Sequence, residues 1–207
     1  ILRPFYPRRT IDVLSNKKNP FDIPKQIGEI RIVACDMAFV EGKKNDNSIF
    51  SCIRALPEST THSVGDKNIS IDNGYRRQVT YMDSVQGGVI DMQAIRIRQL
   101  FEDFHADYIV LDMRNGGIGV YDRLAKVMYD DDRQIEYSPL KCMNDESIAN
   151  RVKIPNANSC IFAVIASQKL NSEIATTLKT TLQDNKLDLL IPYNKALEEQ
   201  LPKIDEY

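Results

Sequence analysis

The chain has 207 residues, enough for one domain with a core of its own, and 43% hydrophobic against 27% charged residues is a globular balance. A formal net charge of −2 excludes a free-standing, strongly basic nucleic-acid binder, but not an enzyme that meets DNA locally while a partner domain supplies most of the grip. No apolar run approaches the roughly 18 residues that span a membrane, and no signal-peptide pattern opens the chain, so it reads as soluble and intracellular.

Four prolines fall in the first two dozen residues, in RPFYPRR and NPFDIP, and they forbid a continuous helix or strand there. The chain begins at Ile1 rather than Met, so residues 1–27 are expected to be a linker or the tail of a preceding domain, with the main domain over 28–207. IRIVACDMAF (Ile30 to Phe39) then predicts a first strand, VEGKKNDN a polar turn, and SIFSCIRALPE a second strand in an antiparallel hairpin. STTHSVGDKNISIDNG is polar and reads as a mobile excursion, and YRRQVTYMDSVQ as a third strand.

From Val89 the period changes. Ile90, Ala94, Ile97, Leu100, Phe101 and Phe104 recur at three- and four-residue spacing, which predicts an amphipathic helix. DYIVLDM is a short continuous apolar run, as in a strand covered on both faces. RNGGIG is a turn, VYDRLAKVMYDD a short helix with DDDR as its solvated end, CIFAVIAS a further buried strand, and SEIATTLKTTLQDN a helix before a short extended LDLLIP. The order β-β-β-α-β-α-β-α implies an α/β fold, a mixed sheet flanked by helices.

Cys35, Cys52, Cys142 and Cys160 form no CxxC pair, and His62 and His105 stand alone, which argues against structural zinc and suits a reducing compartment. The chemistry concentrates elsewhere. Two strongly apolar strands each end on aspartate, Asp36 in IVACDMA and Asp112 in YIVLDMRNGG. A lone strand-end Asp is commonly a turn former or helix cap. Two such strands lying side by side in parallel would bring both carboxylates to one sheet edge, where open α/β sheets place ligands. Their mutual repulsion is relieved by a hard dication, and two Mg²⁺ or Mn²⁺ ions about 4 Å apart can generate an attacking hydroxide and stabilise the leaving oxygen of a phosphodiester.

Asp46 in the turn KKNDNS is a further candidate ligand or simply a turn residue, and Lys43, Lys44, Arg76 and Arg77 are candidate phosphate contacts or solvated charges. Gly116, Gly117 and Gly119 let the chain turn from strand to helix and would let a polymer backbone approach. RNGGIG is neither GxGxxG nor a Walker loop, so it does not point to a nucleotide.

Element order and the motifs CDMAFVEGKKNDNS and VLDMRNGGIGVYDRL together resemble the ribonuclease H-like nucleases, and within them the nuclease domain of tailed-phage terminase large subunits, over residues 28 to 190. The resemblance implies metal ligation by Asp36 and Asp112, and endonucleolytic cutting of concatemeric double-stranded viral DNA during packaging in the bacterial host cytoplasm. It also implies an ATPase domain, portal and small terminase subunit as partners. The family places a third acid on a late helix; Glu173, Asp188 and Asp205 do not match its pattern, and the C-terminal end is expected to stop short of it. Two other readings stay open: a different ribonuclease H-like nuclease (junction resolvase, transposase or ribonuclease H), or a catalytically silent interaction module of the packaging motor.

Overall fold

The structure, a computed structural model, describes residues 19–38, 47–64, 67–85, 87–114 and 116–189. In chain order the elements are β1 (Ile30–Asp36), β2 (Ser48–Val64), β3 (Lys67–Val85), α1 (Ile90–Asp103), β4 (Tyr108–Asp112), α2 (Gly117–Leu124), β5 (Met128–Asp130), β6 (Ile135–Tyr137), β7 (Leu140–Cys142), α3 (Glu146–Ala149), β8 (Asn158–Val164), α4 (Gln168–Gln183) and β9 (Leu187–Asp188).

Among the described residues these build a seven-stranded sheet ordered β7-β8-β4-β1-β2-β3-β9. The first three strands form an antiparallel meander, and β4 joins parallel to β1, with β8 parallel to β4. The fold is mixed α/β, a mixed sheet flanked by helices; the predicted β-β-β-α-β-α-β-α order is present, with β5, β6, β7 and the short α3 inserted between α2 and β8.

The pattern of β1 shows why it sits mid-sheet. Val33 and Cys35 face a core that also holds Ala94, Ile97 and Leu100 of α1 and Ile109 and Leu111 of β4. Burying a side chain of the Val or Leu kind contributes about 1.5–3 kcal/mol. Alternate residues of both strands lie on the other sheet face, and Asp36 and Asp112 belong to that set.

Three expectations change. The polar stretch from Ser59 to Gly74 is no excursion: β2 and β3 continue through it as a two-stranded ribbon, pairing Thr60 with Ile71 and His62 with Ile69. Its residues are largely exposed, so the sequence lacks the apolar alternation of a half-buried strand while β-branched residues still suit extended backbone. Second, the helix expected through VYDRLAKVMYDD stops at Leu124, and Met128–Asp130 pairs with β6 as a hairpin. Third, Asp130 is 1% exposed rather than a solvated helix end. Its carboxylate accepts from Gln99 Nε2 (2.8 Å), the Tyr137 hydroxyl (3.1 Å) and the backbone N–H groups of Asp132 and Arg133 (3.1 Å each).

Candidate functional site

The register of β1 and β4 builds the site. Ile32 pairs with Tyr108, Val33 with Ile109, Ala34 with Val110 and Cys35 with Leu111. One step further along the same parallel ladder places Asp36 opposite Asp112, on strands whose axes are about 4.8 Å apart. Both strands end there, and both aspartates share the sheet face that does not carry the α1 core. Asp36 is exposed and Asp112 half-buried. Like charges brought to one strand edge repel, and a cation between them would offset that repulsion.

Each strand end is fixed by local hydrogen bonds. After Asp36, Met37 is 1% exposed, and the next backbone N–H, that of Ala38, donates to Ser48 Oγ at 2.9 Å. The Ser48 hydroxyl lies 2.9 Å from Gln93 Oε1, and Gln93 Nε2 donates to the Gly87 carbonyl at 2.9 Å. Ser48 and Gln93 are buried polar residues (0% and 2% exposed) tying the loop after Asp36 to α1. Nothing in their local sequence marks them, because the partners are contributed by separate elements.

After Asp112 the chain turns tightly. The N–H of Arg114 donates to Asp112 Oδ1 at 3.0 Å, Gly117 N–H donates to the Arg114 carbonyl at 2.9 Å, and Gly116 has φ of 102°. Gly117 opens α2 so close to the strand end that an added Cβ would lie 1.8 Å from the Asp112 carbonyl oxygen. On the far side Asp112 pairs with Val164 of β8.

The remaining candidates fall elsewhere. Asp46, Lys43 and Lys44 lie outside the described residues. Arg77 pairs with Ala55, which pairs with Ile30, so Arg76 and Arg77 stand at the opposite end of β1 from Asp36. Six residues of strand put them about 20 Å away. Arg76 is also held bidentately by Asp188 at 2.6 Å on both oxygens, and Arg77 donates to the Tyr75 carbonyl at 3.2 Å. Cys35, next to Asp36, is no nucleophile: it is buried on the core face, and burial pushes its thiol far above the ordinary range. Burial likewise pushes Cys52 up to about 12 and Cys160 up to about 11.

The carboxylate pair fits a hard dication. Mg²⁺ and Mn²⁺ prefer oxygen donors, and Mg²⁺ commonly takes one or two carboxylates with water and substrate phosphate completing the shell. Among the described residues no group of three or more His, Cys, Asp or Glu converges as a larger ligand set. None of the described helices is long and apolar enough to cross a membrane.

No protein-family model matches the chain, and no curated protein matches it. Among solved structures it is similar to the large terminase nuclease from thermophilic phage G20c, at 16% identity and a TM-score of 0.39, over 85% of this chain. The match spans about 65% of that nuclease's length. At that score the likeness is a distant structural relationship and carries nothing further.

Proposed function

We propose that this chain is a divalent-metal-dependent nuclease domain that hydrolyses phosphodiester bonds in duplex DNA. The observation that supports the reading is the β1–β4 register, which sets Asp36 and Asp112 side by side at the carboxyl edge of a sheet. A hard dication held there supplies Lewis-acid charge at the phosphodiester and acidifies a water for in-line attack. The chain's own part is to hold two oxygen donors in fixed register, to anchor Asp112 through the Arg114 N–H, and to keep the following turn free of bulk at Gly116 and Gly117. The proposed contacts are to backbone phosphates, which carry no sequence information, so cutting is expected to show little sequence preference.

The finer reading is the nuclease part of a viral DNA-packaging motor, cutting concatemeric DNA beside an ATPase domain, a portal and a small terminase subunit. It rests on the motifs CDMAFVEGKKNDNS and VLDMRNGGIGVYDRL.

Supercoiled-plasmid cleavage in Mn²⁺ tests the proposal. Asp36→Ala and Asp112→Ala are each expected to lose activity by about 10³-fold, the scale of removing a principal electrostatic group, with thermal midpoints unchanged. Cutting at the wild-type rate by both variants overturns it. Linear duplex, four-way junction and RNA–DNA hybrid assayed together separate the packaging reading from a resolvase or a ribonuclease H.

A further inference from the structure

The described arginines divide sharply by what their side chains touch. Arg31 and Arg54 grip Glu29, Arg76 grips Asp188, Arg96 grips Asp83, Arg98 grips Glu102, Arg123 grips Asp91, Arg133 grips Asp103 and Arg151 grips Asp122. Arg77 donates to a backbone carbonyl. Arg114 is the exception: its backbone N–H holds Asp112, its side chain is exposed, and its guanidinium has no hydrogen bond or ion pair among the described residues. Nine described arginines are thus engaged, and the tenth stands at the carboxylate edge.

That position has an electrostatic meaning. Two adjacent carboxylates repel a phosphodiester as strongly as they attract a cation, and a dication offsets this only where it sits. A strand of DNA also presents phosphates on either side of the one being cut, and each of those needs its own positive partner. Guanidinium suits this because it stays charged, forks onto two phosphate oxygens and is weakly hydrated. The turn holds the Arg114 backbone against the Asp112 carboxylate, so a phosphate next to the carboxylate pair falls within reach of its side chain. The amino end of α2 begins in the same turn with no side-chain oxygen on its first N–H groups, which adds positive potential without competing for the guanidinium.

We propose that Arg114 is a phosphate-binding residue of the nuclease site, taking a backbone phosphate of the substrate strand adjacent to the one aligned at Asp36 and Asp112. This inference rests on the nuclease reading. The contact is made equally in the bound substrate and during the reaction, so it acts on substrate affinity rather than on turnover.

The test measures binding of a fluorescein-labelled 30-base-pair duplex in Ca²⁺ across a salt series, and steady-state cleavage of the same duplex in Mn²⁺. Arg114→Ala is expected to raise Kd and KM together by about 10-fold, leave kcat within about 2-fold, and flatten the salt slope by about 0.9, the value for one lost phosphate contact. Arg114→Lys should recover part of the affinity as a point charge without the fork. Because the side chain is exposed and makes no hydrogen bond or ion pair among the described residues, both variants should melt as wild type does. Wild-type Kd, KM and salt slope in Arg114→Ala overturn the inference while leaving the nuclease reading intact, as does a loss confined to kcat. If the wild-type chain neither binds nor cuts duplex, the nuclease reading falls and this inference falls with it.

Discussion

The two ends of β1 treat charge in opposite ways. At its amino end Glu29, Arg31 and Arg54 are buried, with exposures of 4%, 0% and 2%. The charged groups there are paired with one another. Arg54 holds both Glu29 oxygens (2.7 and 2.9 Å), Arg31 Nε reaches Glu29 at 2.7 Å, and its two Nη groups reach the Phe104 and Ile23 carbonyls at 2.9 and 2.7 Å. At the carboxyl end, seven residues later, the same strand delivers Asp36 next to another carboxylate at the solvent edge. A buried charge lacking partners costs several kcal/mol, so the amino end is saturated. Asp36 at the carboxyl end is exposed, and water there screens like charges that the interior could not hold together. The amino end holds the sheet together; the carboxyl end is where chemistry is possible.

The sharpest way to break that contrast is Glu29→Gln. It strands two buried guanidinium groups, and removing one partner of a buried ion network typically costs 3–5 kcal/mol. Urea unfolding should show a loss of about that size, and the thermal midpoint should fall by roughly 10 °C. Cleavage per folded molecule should stay at the wild-type rate at low temperature, because the proposed active edge lies at the other end of the strand. A stability change below about 1 kcal/mol would mean that the network is ornamental.

A smaller effect with a definite sign follows from acid. Burial pushes the Glu29 carboxyl up, but hydrogen bonds from Arg54, the Gln26 N–H and Arg31 outweigh it and hold the group at about 2, against an ordinary value of 4.5. A lowered folded value means stability that is fully present above 4.5 and drains away as pH falls toward 2. At about 1.36 kcal/mol per unit, the full drop is on the order of 3 kcal/mol. Other carboxylates with lowered values, such as Asp122 and Asp130, titrate in the same region, so the informative quantity is the difference from Glu29→Gln. Wild type should lose more stability than the variant between pH 4.5 and 2, and parallel curves would show that Glu29 is not the group responsible.

The same contrast explains what could be read from the sequence. Strand-end aspartates after continuous apolar runs are a local signal, so Asp36 and Asp112 stand out without any structure. Their meeting is not local: a parallel pair separated by the β2–β3 ribbon and α1 acquires its register only when α1 packs on the sheet. That Arg76 and Arg77 stand apart from the carboxylate pair is hidden for the same reason, since their place at the far end of the sheet follows from antiparallel pairing through β2. Asp130 reads as solvated because its four donors arrive from α1, β6 and the turn after it. The ribbon reads as a loop because its faces carry too little apolar surface to set a period. Arg114 lies in plain view inside RNGGIG, but what sets it apart is relative, and shows only once the partners of the other described arginines are known.

Gly117→Ala carries the contrast to the carboxyl end, with the smallest expected cost in stability. The glycine is there for space, not for an unusual backbone angle: its Cβ would lie 1.8 Å from the Asp112 carbonyl oxygen and 2.8 Å from the carbonyl carbon. Both are backbone atoms, so no side chain can rotate away, and α2 and the end of β4 must separate by more than about 1 Å for the methyl to reach ordinary contact. Overpacking of this kind costs about 1–3 kcal/mol, less than stranding the buried arginines. Its effect on activity should be larger than its effect on stability, because the atom displaced belongs to Asp112 itself, and a shift of about 1 Å in a reacting constellation can cost about 100-fold. Glu29→Gln and Gly117→Ala should therefore cross over: the first loses more stability and cuts normally while folded, the second loses less and cuts poorly. Urea midpoints and kcat measured on both at one temperature check the crossing. If Gly117→Ala instead cuts at the wild-type rate, the strand end tolerates displacement, and a site that depends on the Asp36–Asp112 register cannot be the one that cuts DNA.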